Sequence, residues 1–447
     1  MSIRIFQHWN MSARILVYPG AFCCLLFPQP GLVLAFGLLL FALELICFVQ
    51  QADRSLDMRV LLRLLALLFM WVTPALSYLF ETASWYMGYQ MAVKPDFYFA
   101  LVIPCTVAFN LSLSLPLGQA RILPSSTDAL TGWALLGFGL VIQQITPYVS
   151  VPIGMQFFVF LCGQLWLVGL LFVQQASPKL RWYLLGFGAT YLFYEALQQT
   201  LFGYAIIWIV ILLCFTLKTN EISQKIRWVS VGVIGILILF LLSFKYEYRQ
   251  QVWFENTQTS KAQIFMQMLG QRLLHPVDLV KPEIIQHYID RLNQGYHTAK
   301  AMAYTPVYEP FTQGATLMQG FRAALLPRLL DPNKPQSGGK ENIRRFSGIN
   351  NQPWSSNIGQ YGEAYVNFGI AGAWLVMLFY GLLISGILWV LQRYFPIPWW
   401  PFILEPVLNV EKDIGMSMNH LCKSMMFMVV VVMVCRVVAP PAPPEGG

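Results

Sequence analysis

Two carboxylates stand where apolar sequence is the rule. Glu363 lies in "SSNIGQYGEAYVNFGIAGAWLV" (355–376), where an amide-rich stretch runs into a long apolar one, with Tyr361, Tyr365 and Asn367 beside it. Glu195 lies near the end of the apolar run 181–199 and is followed by Gln198 and Gln199. An ionisable residue in a membrane segment is a functional hypothesis by default. Either acid could take a proton from a sugar hydroxyl. The competing role for Glu363 is a helix N-terminal carboxylate favoured by the dipole. For Glu195 it is a structural ion pair, with a loop arginine as partner. Tyr361, Tyr365 and Asn367 are the accompanying sugar-binding candidates, and Asn367 could equally join helices. Gln143 and Gln144, near the end of another apolar run, are placed to line the same cavity as Glu195. Gly369 and Gly372 read as close-packing positions.

The second group is cationic. "GFRAALLPRLLDPNKPQSGGKENIRRF" (320–346) holds Arg322, Arg328, Lys334, Lys340, Arg344 and Arg345 against Asp331 and Glu341. Arginine forks match phosphate oxygens, so Arg322, Arg328, Lys334, Arg344 and Arg345 are candidate pyrophosphate binders, with Arg272 beside them. The alternative is a basic loop that meets lipid headgroups without specificity. His275, His287 and His297 read as surface or packing residues. Arg63 reads as snorkelling from its span end to the cytoplasm.

What must position these residues is a membrane bundle. The chain has 447 residues, of which 57% are hydrophobic, 15% aromatic and only 11% charged. Mean hydropathy is +0.55. Soluble domains carry about 25% charged residues. The expected fold is therefore an all-α polytopic integral membrane protein. Apolar spans are predicted near 13–27, 31–49, 60–80, 97–117, 131–149, 152–174, 181–199, 202–217, 228–244, 364–392 and 420–438, about 11–12 transmembrane helices in all. Residues 396–411 are ambiguous between an interfacial and a re-entrant segment. The first span reads as an uncleaved insertion signal.

With the N-terminus inside, Arg54, Arg59, Arg121, Lys179, Arg181, Lys218, Lys225 and Arg227 all fall on the cytoplasmic side, a consistent positive-inside pattern. Residues 1–244 then form an N-terminal bundle of about nine helices. Residues 245–362 form a large extracytoplasmic loop, 363–438 hold the C-terminal helices, and 439–447 form a disordered tail. A loop of that length should carry its own helices. Three are predicted, over 257–275, 282–297 and 316–330, as a cap on the outer membrane face.

"LPRLLDPNKP" (326–335), a polar linker and "SNIGQYGEAYVNFGIAGA" (356–373) together resemble the Wzy-type oligosaccharide repeat-unit polymerases of bacterial O-antigen, capsule and exopolysaccharide pathways. The architecture, with a large loop before the last helices, resembles them over most of the chain. The motifs cover Arg322 to Gly372. The resemblance implies a GT-C-like glycosyltransferase of the bacterial cytoplasmic (inner) membrane, working at its outer, periplasmic face. It would join undecaprenyl-pyrophosphate-linked glycans, donor and acceptor both lipid-linked, by inverting, metal-independent transfer. It further implies Arg328 and Lys334 as pyrophosphate binders and Glu363, Tyr365 and Asn367 as the pocket floor. Expected partners are those lipid-linked glycans, membrane lipid, a chain-length regulator and a flippase.

Other classes are disfavoured. All eight cysteines lie in or beside apolar segments, so no disulfide framework or Cys/His metal site is expected. Walker A, GxSxG and HExxH sequences are absent, and no cofactor, metal or nucleic acid is expected. An O-antigen-ligase-like transferase remains open, as does a lipid-linked oligosaccharide flippase. The concentration of polar residues in one loop speaks against the flippase.

Overall fold

The computed structural model describes residues 11–51, 58–80, 90–115, 129–199, 202–217, 223–253, 259–325, 331, 339–349 and 356–438. Without water, backbone N–H and C=O groups must be satisfied within each segment, so the apolar runs fold as helices. They are α1 Met11–Gly20, α2 Pro30–Gln51, α3 Met58–Leu79, α4 Pro95–Ser114, α5 Ala129–Ile145, α6 Ile153–Ala176, α7 Arg181–Gln199, α8 Phe202–Leu217 and α9 Gln224–Trp253. The loop contributes α10 Lys261–Leu274, α11 Pro282–Leu292, α12 Gly295–Tyr304, α13 Ala315–Leu325 and α14 Lys340–Ser347. The chain then continues through α15 Gly359–Tyr394, α16 Trp399–Leu408 and α17 Ile414–Val438.

Among the described residues, 8 helices are long and apolar enough to cross a membrane, and Ala13–Leu26 and Phe202–Leu217 are shorter apolar helices. The chain is a helical, multi-pass membrane protein. Three of the expected spans, 13–27, 181–199 and 202–217, stand apart from this set. Helix α7 is less apolar because its last turns carry Tyr191, Tyr194, Glu195, Gln198 and Gln199. Residues 396–411 contain only the 10-residue helix α16. Helices α3, α4 and α6 form the centre, with 78%, 72% and 67% of their apolar windows buried, whereas α9 is 17% buried and peripheral.

Helix α15 lies along α4. Phe97 meets Tyr365 edge-on, Phe109 stacks on Tyr380 at 5.9 Å, and Ser385 Oγ donates to the Ser112 carbonyl at 3.1 Å. The pairs rise together in sequence, so the two helices run in the same direction. Helix α15 is also broken. Gly369 has φ 63° and ψ −168°, a conformation that favours glycine. Its place is therefore conformational, and not close packing alone as the sequence suggested. The break releases the carbonyls of Val366 and Asn367, which accept instead from the N–H groups of Thr312 (2.9 Å) and Gln313 (3.0 Å).

Among the loop helices, α10 and α11 keep exposed faces, whereas α12 departs from the expected cap. Helix α10 starts with a capping box, in which Ser260 Oγ accepts from the Gln263 N–H at 3.3 Å. The expected helix 282–297 splits at Asn293, whose Oδ1 accepts the Tyr296 N–H at 3.1 Å and starts α12. Helix α12 is interior: Thr298, Ala299 and Ala301 are fully buried. Helix α13 is pressed against α17.

Arg63 does not snorkel. It is buried, with Nε 3.1 Å from Glu44 Oε2, while Arg14 Nε lies 3.1 Å from Glu44 Oε1. Tyr18 donates to the same carboxylate at 2.9 Å. A partner inside the bundle keeps Arg63 from the lipid boundary.

Candidate functional site

Helices α5 and α6 form a hairpin that small residues close. A Cβ on Gly139 would lie 2.2 Å from the Trp166 nitrogen, and one on Gly169 2.3 Å from the Leu136 nitrogen. That contact brings Gln143 and Gln164 to one end of the hairpin, where α7 and α8 also end or begin. The four helices line an open cavity of about 680 Å³. Its wall includes Gln143, Gln144, Gln156, Gln164, Tyr191, Tyr194, Glu195, Gln198, Gln199 and Tyr204.

Within it, Gln143 Nε2 donates to Glu195 Oε1 and Tyr204 Oη donates to Gln164 Oε1. Gln144 Nε2 donates to Tyr191 Oη at 2.8 Å. At the rim, Lys261 Nζ donates to the Gln198 carbonyl at 2.6 Å. Among the described residues, Glu195 is thus held by an amide and not by a loop arginine, the partner the sequence suggested. Amides and phenols supply both donors and acceptors in fixed positions. They suit a neutral, hydroxyl-rich ligand, and among the described residues of the wall Glu195 is the one carboxylate.

Glu363 is elsewhere. It is buried, and its Oε2 accepts the Gly415 N–H at 2.9 Å, at the start of α17. Asn367 Nδ2 donates to the Glu363 carbonyl and to Thr316 Oγ1, both at 2.7 Å, and its Oδ1 accepts from Thr312 at 2.7 Å. Next to Glu363 is Asp413, also fully buried. Asp413 accepts from the Gly359 N–H at 3.1 Å, the Gly339 N–H at 3.4 Å and Asn342 Nδ2 at 2.9 Å. It therefore ties the starts of α14 and α15 to that of α17. Burial and the adjacent Glu363 carboxylate push the Asp413 carboxyl above its ordinary range, against the three donors.

Tyr361 and Tyr365 belong to this interior. Tyr361 Oη is 3.1 Å from Thr106 Oγ1, and Tyr365 donates to the Thr305 carbonyl at 3.0 Å. Glu363, Tyr361, Tyr365 and Asn367 share the first turns of α15 but bond to different neighbours, and none of them lines the Glu195 cavity.

Three of the cationic candidates are each held by a separate acid. Arg322 grips Asp331 with two hydrogen bonds, 2.5 and 2.7 Å. Arg345 pairs with Glu309 at 2.5 Å and lies over the Phe346 ring. Arg272 pairs with Glu247 at 3.3 Å and donates to the Ser243 carbonyl at 3.1 Å. Arg344 is exposed. Arg328 and Lys334 lie outside the described residues. Among the described residues, no group of three or more His, Cys, Asp or Glu side chains comes together to hold a metal ion.

Sequence reasoning missed Asp413. Its signal was an acid directly before the apolar run 414–438, the position of a helix cap. Residues 129–395 match a family described as a domain of unknown function, DUF8712. This stretch covers helices α5 to α15, and so the whole Glu195 cavity and Glu363, but not Asp413. No curated protein and no solved structure matches the chain.

Proposed function

The chain belongs to the DUF8712 family, and we propose that it is a membrane-embedded glycosyltransferase that uses the Glu195 cavity to hold the sugar of a lipid-linked glycan. The observation that carries this reading is the cavity itself: about 680 Å³, walled by amides and phenols around one carboxylate, between helices of a membrane bundle. Lipid-tethered sugars need such a chamber, reached from the side while the lipid stays in the bilayer.

In this reading Glu195 takes the proton of the attacking acceptor hydroxyl. Gln143 orients the carboxylate, and Gln144 and Tyr191 position the sugar ring. The leaving diphosphate needs charge stabilisation more than a proton, which preorganised cations supply. Attack opposite the leaving group inverts the anomeric centre. Glu363 and Asp413 then serve to lock α13, α14, α15 and α17 together. The motif resemblance to repeat-unit polymerases favours a second lipid-linked repeat unit as acceptor, and the outer face of a bacterial cytoplasmic membrane as the location. An O-antigen-ligase-like reaction differs only in the acceptor.

The test is polymerisation of purified lipid-linked repeat units by the reconstituted protein, in the presence of EDTA. The wild type should extend the glycan, and Glu195→Gln should leave single units while keeping its melting temperature. Full-length polymer from Glu195→Gln would remove Glu195 from the mechanism. Absence of any transfer by the wild type, alongside carriage of the lipid-linked glycan across vesicles, would replace the transferase with a transporter.

A further inference from the structure

A second cationic group lies outside the cavity and outside the basic segment 320–346. Helix α9 carries Lys245 and Arg249 one turn apart near its end, and α11 ends near Arg291. His297 is on α12, and Glu411 lies between α16 and α17. These elements converge on Glu411. Arg291 Nη2 is 3.5 Å from Glu411 Oε1, and Gln294 Nε2 donates to the same oxygen at 2.8 Å. Lys245, Arg249 and His297 are close enough for their charges to act on that carboxylate. Two arginines and a lysine thus surround a single acid.

Lys245 is 5% exposed, and among the described residues its ammonium makes no hydrogen bond or ion pair. Among the described residues, buried His297 Nδ1 has no hydrogen-bond partner. The group still opens to water on one side, since the side chains of Arg291 and Glu411 keep 37% and 44% of their surface exposed. A buried ammonium with no counter-charge in contact with it is strongly disfavoured. Here two arginines beside it add repulsion, and Glu411 is already engaged by Arg291 and Gln294.

We propose that Lys245, Arg249, Arg291 and His297 form a binding site for a phosphate or diphosphate group, whose oxygens supply the counter-charge that Lys245 lacks. Arg291 offers a planar fork and Lys245 a point charge at the buried end, the usual division of labour around a phosphate. A lipid headgroup and a free phosphate share this chemistry. The inference does not rest on the transferase reading, because the cations would bind such an anion in a carrier as well.

The experiment uses the full chain, purified in detergent and titrated with inorganic pyrophosphate, with the melting temperature and calorimetric affinity recorded. Pyrophosphate should stabilise the wild type. Lys245→Met and Arg291→Gln should each bind roughly tenfold more weakly or worse, the loss of one charge-assisted contact. Lys245→Arg should keep most of the affinity, and Lys179→Gln, an exposed lysine elsewhere, should match the wild type. Repeating the titration in phosphatidylcholine nanodiscs, with and without phosphatidic acid, separates the sources. Competition by phosphatidic acid assigns a lipid headgroup, and undiminished pyrophosphate binding assigns a soluble ligand. Wild-type affinity in Lys245→Met, or no response of the wild type to either anion, would overturn the proposal.

Discussion

Gly320 and Gly415 meet backbone to backbone: a Cβ on Gly320 would lie 2.4 Å from the Gly415 Cα. The N–H of Gly415 is also the donor to Glu363. The crossing of α13 and α17 therefore sets that hydrogen bond. Gly320→Ala should destabilise the fold by about 1–3 kcal/mol, the usual penalty of overpacking. A melt in detergent that matches the wild type would show that the crossing can relax.

Gly369 and Gly386 lie in the same helix and should respond in opposite ways. Gly369 has a positive φ of 63°, and Gly386 has open space around an added Cβ. Gly369→Ala should lose about 1–3 kcal/mol through backbone strain. Gly386→Ala should be neutral or slightly stabilising, since alanine is the better helix former. Equal melting temperatures for the two variants would contradict the break in α15.

Glu44 holds two buried arginines, Arg14 and Arg63. Removing its charge leaves both without their carboxylate, and breaking a buried pair costs about 3–5 kcal/mol. Glu44→Gln should therefore melt far below the wild type, while Arg344→Gln, at an exposed position, should not. A small effect at Glu44 would mean that the arginines find other acceptors.

His297 should make stability pH-dependent. Burial, with Arg291 adding to it and Glu411 opposing, lowers its pKa to about 4. An unfolded histidine titrates near 6.5. Between these values the unfolded chain binds more protons, so the contribution of His297 is present above pH ~6.5 and is lost as pH falls toward ~4. The difference in melting temperature between wild type and His297→Gln should narrow or invert over that window, recorded in apo protein. A difference that stays constant with pH would show that His297 keeps its ordinary pKa when folded.

Gln143 is the partner of Glu195, so Gln143→Leu should lower transfer activity by roughly tenfold through lost orientation. Glu195→Gln should lower it further. Activity that survives intact in Gln143→Leu would separate the amide from the reaction.

The apolar runs were readable because the bilayer imposes one solution on them. The run 202–217 matches α8 residue for residue, and 181–199 matches α7. Glu195, Gln143 and Gln144 stood out as polar residues in apolar sequence, and the fold brings them together. Arg63 was misread because its partner Glu44 lies on another helix, and no local spacing announces such a pair. Asp413 and Glu411 escaped because they lie in a short link between α16 and α17, and their roles arise from distant segments: Gly339 and Gly359 for one, Arg291 and Gln294 for the other. Lys245 sat at an expected span boundary, where a lysine is ordinary. Only the convergence of α9, α11 and α12 makes it exceptional.

As one straight rod, α15 would be about 54 Å long, far more than a hydrocarbon core of about 30 Å. The break at Gly369 divides that length unequally. Residues 370–394 extend about 37 Å, enough to span with tilt, and tilt follows membrane thickness. The preceding turns are fastened to Thr312, Gln313, Asp413 and Gly415 rather than to lipid. The longer arm beyond Gly369 is held to α4 through Tyr380 and Ser385, so the break divides one helix between two duties: its long arm meets the bilayer alongside α4, and its short arm belongs to the interior polar network around Glu363.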